Sequence, residues 1–287
     1  MVHYFFYVTT SQSIIPCRDW AAIPPTPANV FKSGGKYPHG VAVTRSHTHL
    51  VVANFSSANV TLLSLTDGHV ERTIGTEGSF QGQFLYPLGV SVDPHQGYLW
   101  VADQSNHRVQ LFTEDGHFVR QFACCQSPSS VAFLSNGDVA IASLGDKKLH
   151  LYSSEGELRR SVGSFDQPWQ LAVVPPAEGT EGGEEYLAVA DCVNNCVQIV
   201  SSTDGHVVRT LATAGPYGVL VTPDRYLIVV ESGIHTVGVF SSQGERVHQW
   251  GSNGSAPGQF RSPTYCSLLP DGRVAIADCD NHRIQLF

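Results

Sequence analysis

The sequence predicts an all-β fold, a six-bladed β-propeller with four antiparallel strands per blade. Three observations carry this: a repeat that recurs six times, a glycine turn at a fixed place within it, and no window with apolar residues at helical spacing. The repeat is anchored by Pro38, Pro87, Pro128, Pro168, Pro216 and Pro263, which lie 49, 41, 40, 48 and 47 residues apart. Periods in the forties, each holding four short strands, describe propeller blades. The copies fill residues 36–287, and residues 1–35 form a leading segment.

Within a copy the elements follow one order. The first strand begins behind the proline, as at Val90–Val92. The second is β-rich, as at Tyr98–Ala102. The third alternates over Arg108–Phe112, and the fourth covers Phe118–Phe122. A glycine separates third from fourth at Asp67-Gly68, Asp115-Gly116, Glu155-Gly156, Asp204-Gly205 and Gln243-Gly244. A tight hairpin demands positive φ, which glycine adopts without a Cβ clash. The sixth copy reaches Phe287 after only three strands. An unpaired edge invites association, so another segment must complete that blade. The apolar Tyr4–Val8 is the expected donor, with Ile23–Pro27 as the strap to the first blade. Pro175–Glu185 is expected to be an acidic loop on the bottom face.

Composition narrows the function. Of 287 residues, 42% are apolar and 15% charged. That supports a sizeable core and argues against a disordered acidic chain. A net charge of −8 repels polyanions, so a nucleic-acid site would have to be local, and no membrane partner is expected. No apolar run reaches the length of a membrane-spanning helix. Seven cysteines at unrelated spacings do not make a disulfide framework, which points to free thiols and a cytoplasmic location.

The strongest copies share more than a period. Gly82-Gln83-Phe84 and Gly258-Gln259-Phe260 lead into them. Val101-Ala102-Asp103 is followed by Asn106-His107-Arg108-Val109-Gln110, and Ala277-Asp278 by Asn281-His282-Arg283-Ile284-Gln285. These residues resemble the NHL-repeat family. The combined Gly-His…Trp-Asp signature of WD40 blades is absent, and so are paired glycines at kelch positions. The resemblance implies a partner- or substrate-recognition module of the kind carried by tripartite-motif ubiquitin ligases. It also raises two alternatives, an RNA-binding NHL domain and a zinc-dependent peptidyl-amidoglycolate lyase-like enzyme.

In a propeller the residue after each anchoring proline faces the channel mouth on the top face. These positions hold His39, Leu88, Ser129, Trp169, Tyr217 and Thr264. Trp169 and Tyr217 are the expected anchors for a protein or peptide partner, framed by His39, Thr264 and Arg108, because buried aromatics dominate docking energetics. The lyases of the family place two zinc-binding histidines at the position of His39, and here the other five ring positions carry none. No catalytic residue, cofactor or metal site is therefore expected. Cys192 and Cys196 lack the second pair that a zinc site would need. Asp103 with Arg108, and Asp278 with Arg283, read as braces across a hairpin. The top loops carry Lys32, Lys36, Arg108, Lys147, Lys148, Arg261 and Arg283 against Glu77, Asp103, Asp146, Asp166, Asp191, Glu231, Asp278 and Asp280. That balance leaves no positive field for RNA. The expected function is a monomeric, non-catalytic scaffold for protein interaction, linked to ubiquitin ligation by the resemblance.

Overall fold

A computed structural model describes residues 18–176 and 183–287. Among them stand six four-stranded antiparallel sheets. In blades 1 to 5 the chain runs outward in sequence order. Blade 1, for example, comprises Pro38–Val43, His49–Asn54, Asn59–Ser64 and Val70–Ile74. Every inner strand begins at its anchoring proline. The inner strand of blade 1 packs against Pro87–Val92 on one side and Pro263–Leu268 of blade 6 on the other, so the ring is closed.

Middle strands are buried along their whole length, as in Leu99–Asp103 and Arg108–Phe112. Each is covered on both faces by a neighbouring blade; the second strand accordingly reads as a near-continuous apolar run, and the third buries Arg108 and Gln110 through hydrogen bonds. The core lies between blades. Val51, Val60 and Ile74 of blade 1 pack with Val90, Leu99 and Phe112 of blade 2. Outer strands such as Val70–Ile74 show most of their residues to solvent.

The sixth blade is completed from the N-terminal side, but by a different strand from the one the sequence suggested. Asn29–Lys32 pairs with Arg283–Leu286, in the register Asn29 with Leu286 through Lys32 with Arg283. Tyr4–Val8 lies outside the described residues, and the slot expected for it is filled. Ile23–Pro27 consequently leads into the closing strand and does not follow it. Trp20 and Ile23 join the core of blades 5 and 6, and Trp20 Nε1 donates to both carboxylate oxygens of Asp224 at 2.8 Å.

The closing strand repeats a contact used around the ring. A Cβ at Gly68, whose φ is +73°, would overlap the Phe31 ring. Gly116 meets Ile74 in the same manner, Gly156 meets Phe122 and Gly205 meets Val162. The hairpin glycine thus serves twice, in turn geometry and in blade-to-blade approach. Of the acidic segment, Pro175, Pro176 and residues 183–185 are outside any strand, and Glu185 accepts from Ser135 N at 2.9 Å; residues 177–182 lie outside the described residues. Among the described residues no helix is long and apolar enough to cross a membrane.

Candidate functional site

The top face is built by a repeated joint. The residue before each anchoring proline has positive φ: Tyr37, Tyr86, Ser127, Gln167, Gly215 and Ser262 lie between 47° and 65°. This left-handed step turns the chain into the inner strand. At Tyr37, Ser127, Gly215 and Ser262 it is held by a side chain from the preceding blade. His282 Nδ1 accepts from Tyr37 N at 3.1 Å, His107 Nδ1 from Ser127 N at 3.0 Å, and His235 Nδ1 from Ser262 N at 3.1 Å. His107 and His282 of the Asn-His-Arg motif, and His235 at the equivalent place in blade 5, therefore join one blade to the next.

Arg108 has a comparable structural task. Its Nε donates to Asp103 Oδ2 at 2.7 Å, and its other nitrogens donate to the carbonyls of Ser79, Phe80 and Gln83 and to Gln121 Oε1. It is buried in the third strand of blade 2 and does not join the residues of the channel mouth. Arg283 repeats the arrangement with Asp278 at 2.6 Å. In blade 5, where Thr236 stands at the arginine position, Arg246 reaches in from the fourth strand and binds both oxygens of Glu231 at 2.7 Å.

At the mouth, the ring positions separate into two groups. Leu88, Ser129 and Thr264 are buried, and the hydroxyls lace neighbouring blades together: Ser129 Oγ donates to Pro168 O at 2.7 Å and Thr264 Oγ1 to Pro38 O at 3.2 Å. His39, Trp169 and Tyr217 come together. Trp169 stacks on Tyr217 with ring centroids 4.4 Å apart, and His39 stacks on Trp169 at 5.9 Å and 12°. The row continues through Phe55, 5.2 Å from His39, to Tyr86, 4.6 Å from Phe55. Five rings from four blades thus cross the mouth. His39 is buried, Trp169, Tyr217 and Phe55 are half-buried, and Tyr86 is exposed.

Sequence reasoning missed the floor beneath this row. In blades 1 and 2 the third residue of the Pro-x-Gly motif must be glycine: a Cβ at Gly40 would overlap Leu88 O, and one at Gly89 would overlap Ser129 O. Blades 4 and 6 carry Gln170 and Tyr265 there. Tyr265 Oη crosses the channel to donate to Ser129 O at 2.8 Å. Gln170 Oε1 accepts from Val219 N and Cys266 N, each at 3.1 Å, and its Nε2 donates to Cys266 O at 2.8 Å. A cavity of about 770 Å³ enters from the opposite face, between turns such as Thr44–His47 and Asp93–Pro94, and reaches Gln170 and Cys266. The departures from glycine were visible in the sequence; that they point into the channel was not.

His39 is not poised as a base. Burial lowers its pKa to about 4, so the imidazole is neutral near pH 7. Its Nε2 lies 3.7 Å from Cys279 Sγ, and burial pushes that thiol up to about 12. The pair is held as thiol and neutral imidazole, without a reactive thiolate. A histidine depressed on folding stabilises the protein above the unfolded pKa of 6.5. Between about pH 6.5 and 4 the unfolded chain takes up a proton that the folded one refuses. His39 should therefore withdraw about 3 kcal/mol over that window. Melting curves of wild type and His39→Asn from pH 7 to 4 test this. The wild type should lose more stability, and parallel curves would contradict it.

Comparison with known proteins follows the same residues. The NHL repeat family matches residues 84–112, which run from Phe84 through the inner strand and the Asp103–Arg108 brace of blade 2. The chain carries an NHL repeat. This NHL-repeat chain is 33% identical to Protein brain tumor of Drosophila melanogaster over 99 residues, 31% of the chain and 10% of that protein. It is 24% identical to the E3 ubiquitin-protein ligase NHLRC1 of Rattus norvegicus over 214 residues, 70% of the chain and 52% of the ligase. It therefore spans about a tenth of the first relative and half of the second. Among solved structures, Kuenenia stuttgartiensis hydrazine synthase superposes with a TM-score of 0.62 at 13% identity, over 88% of this chain and 95% of that one. An inactive virginiamycin B lyase variant from Staphylococcus aureus gives 0.59 at 13% identity, over 87% and 83%. At that identity the NHL-repeat chain shares their fold, and a fold by itself does not assign chemistry.

Proposed function

We propose that this NHL-repeat propeller is a non-catalytic module that docks a protein or peptide partner on its top face, as a monomer in the cytoplasm. In this reading residues 36–287 form the module and residues 1–35 contribute its closing strand. The row of rings from Tyr217 through Trp169, His39 and Phe55 to Tyr86 carries the proposal. Half-buried aromatics over a rigid floor bury an apolar side chain at little conformational cost. Thr264 fixes the wall of the mouth, and Arg108 acts at a distance by bracing blade 2. Relatives that are E3 ubiquitin-protein ligases favour partner or substrate recognition in ubiquitin ligation. A zinc-dependent lyase reading is disfavoured because His39 is the single histidine among the six ring positions, where a catalytic zinc needs three protein ligands.

RNA is disfavoured by charge pairing. Three of the seven top-loop cations are committed to acids: Arg108 to Asp103, Lys147 to Asp166 and Arg283 to Asp278. Affinity capture, with and without nuclease, tests the choice. A nuclease-resistant protein should be captured by the wild type and lost when Trp169→Ala is combined with Tyr217→Ala, each truncation costing about 2 kcal/mol of binding or more. The double variant should keep most of its melting temperature. Capture of every partner by a folded double variant, or partners all lost to nuclease, would overturn the proposal.

A further inference from the structure

Blade 3 departs from the other blades at a set of positions that meet in space. In the strongest copies the second strand ends in a buried acid, Asp103 or Asp278, with Asn106 or Asn281 three residues on and Gln110 or Gln285 seven on. Both glutamines donate to that acid at 3.1 Å, and both asparagines at 2.9 Å. In blade 3 the corresponding residues are Ser143, Asp146 and His150. Three residues before the anchoring proline, where those copies bury Phe84 and Phe260, blade 3 has Cys125, with Cys124 beside it. The replacements bring a thiol, a carboxylate and an imidazole into the space of a hydrogen-bond network.

The three groups are close and oriented. One donor atom from each of Cys125, Asp146 and His150 lies within 4.8 Å of the other two. His150 Nε2 is 3.1 Å from Asp146 Oδ2. The other ring nitrogen is fixed by Ser161 Oγ at 2.7 Å, the kind of outer contact that orients a ligating histidine. Asp146 Oδ2 is positioned by Ser143 Oγ and Gln126 N, each at 3.0 Å. Ligand bonds to zinc of about 2.0–2.3 Å set tetrahedral donor atoms roughly 3.3–3.7 Å apart; the Nε2–Oδ2 separation of 3.1 Å is near that range, and the thiol lies within 4.8 Å of both. Cys125 is buried, while the Asp146 side chain is 32% exposed and leaves a fourth direction open to water.

We propose that Cys125, Asp146 and His150 form a binding site for one zinc-type divalent cation. Cys125 belongs to the connection entering blade 3, and Asp146 and His150 to that blade's second hairpin. The ion would staple blade 3 to the connection that feeds it. On binding, the S–H bond breaks, sulfur bonds to the ion and the proton passes to solvent, so affinity rises with pH. The site revises the expectation that this chain lacks a metal, and it is independent of the top-face docking reading.

The test is titration of the reduced, chelator-stripped full chain with Co²⁺. One equivalent should saturate it, with a thiolate-to-cobalt charge-transfer band that Zn²⁺ then removes. Cys125→Ser should abolish the band. His150→Gln restores the residue found at Gln110 and Gln285, so it should fold as the wild type does without metal and bind Co²⁺ about tenfold or more weakly. If Cys125→Ser does not fold, His150→Gln decides. Absence of a one-equivalent band, or full affinity in a folded His150→Gln, would overturn the site. Equal loss in Cys196→Ser would place the metal elsewhere and also overturn it.

Discussion

Removal of residues 1–33 should convert a closed ring into an unstable, associating protein. The deletion takes away Asn29–Lys32 and leaves the ladder groups of Arg283–Leu286 unpaired. It also removes Phe31, which is 6% exposed and packs in the core shared by blades 1 and 6. An open edge is a template for another chain. Phe31→Asp isolates the packing contribution while keeping the strand. Loss of a buried phenylalanine costs about 3–5 kcal/mol, and an unpaired carboxylate there adds to it. The melting temperature should fall by on the order of 10 °C, and sedimentation should show oligomers for the deletion. A monodisperse deletion variant that melts like the wild type would refute closure by this strand.

Arg108→Ala should be nearly as damaging without touching the channel mouth. Asp103 is fully buried, and Arg108 is its ion-pair partner at 2.7 Å. Truncation leaves the carboxylate uncompensated and frees the carbonyls of Ser79, Phe80 and Gln83. Breaking a buried pair from one side costs about 3–5 kcal/mol. Adding Asp103→Asn should recover part of the loss, because the residual charge is gone. Denaturant unfolding of the single and double variants measures both steps. If Arg108→Ala unfolds like the wild type but loses its partner, the arginine belongs to the docking surface and not to the blade.

The blades were legible because each device that makes one has a local chemical mark. Proline starts the inner strand, glycine makes the hairpin, and a doubly covered second strand such as Leu99–Asp103 is almost wholly apolar. The closing strand carries no such mark. Asn29–Lys32 sits on an outer edge with one buried residue, so its four residues are half polar and show no apolar run. The more hydrophobic Tyr4–Val8 drew attention because apolar content reports burial, not edge pairing. The channel mouth was half legible. The proline register placed His39, Trp169 and Tyr217 together, but which ring residues are buried depends on neighbouring inner strands. Arg108 was read both as a brace and as a docking residue, and its acceptors, Asp103 and the carbonyls of Ser79, Phe80 and Gln83, favour the brace. Cys125, Asp146 and His150 could have been found by comparing blade 3 with its own siblings; examined alone, each is an ordinary loop or strand residue.

The closing strand also sets an order on biosynthesis. Asn29 pairs with Leu286, which lies 257 residues further along the chain (286 − 29). At about 5–20 residues per second, the ribosome takes roughly ten to fifty seconds to deliver that partner. Five blades can hydrogen-bond from local sequence during this interval, each from consecutive strands. The sixth cannot, and Asn29–Lys32 leaves the ribosome early and waits for its mate. Loop-closure entropy grows only slowly with such a separation, so the pairing costs little more at equilibrium than a shorter one would. Its cost is paid in time: until translation reaches Leu286, the nascent chain exposes strand edges that chaperones or neighbouring chains can engage.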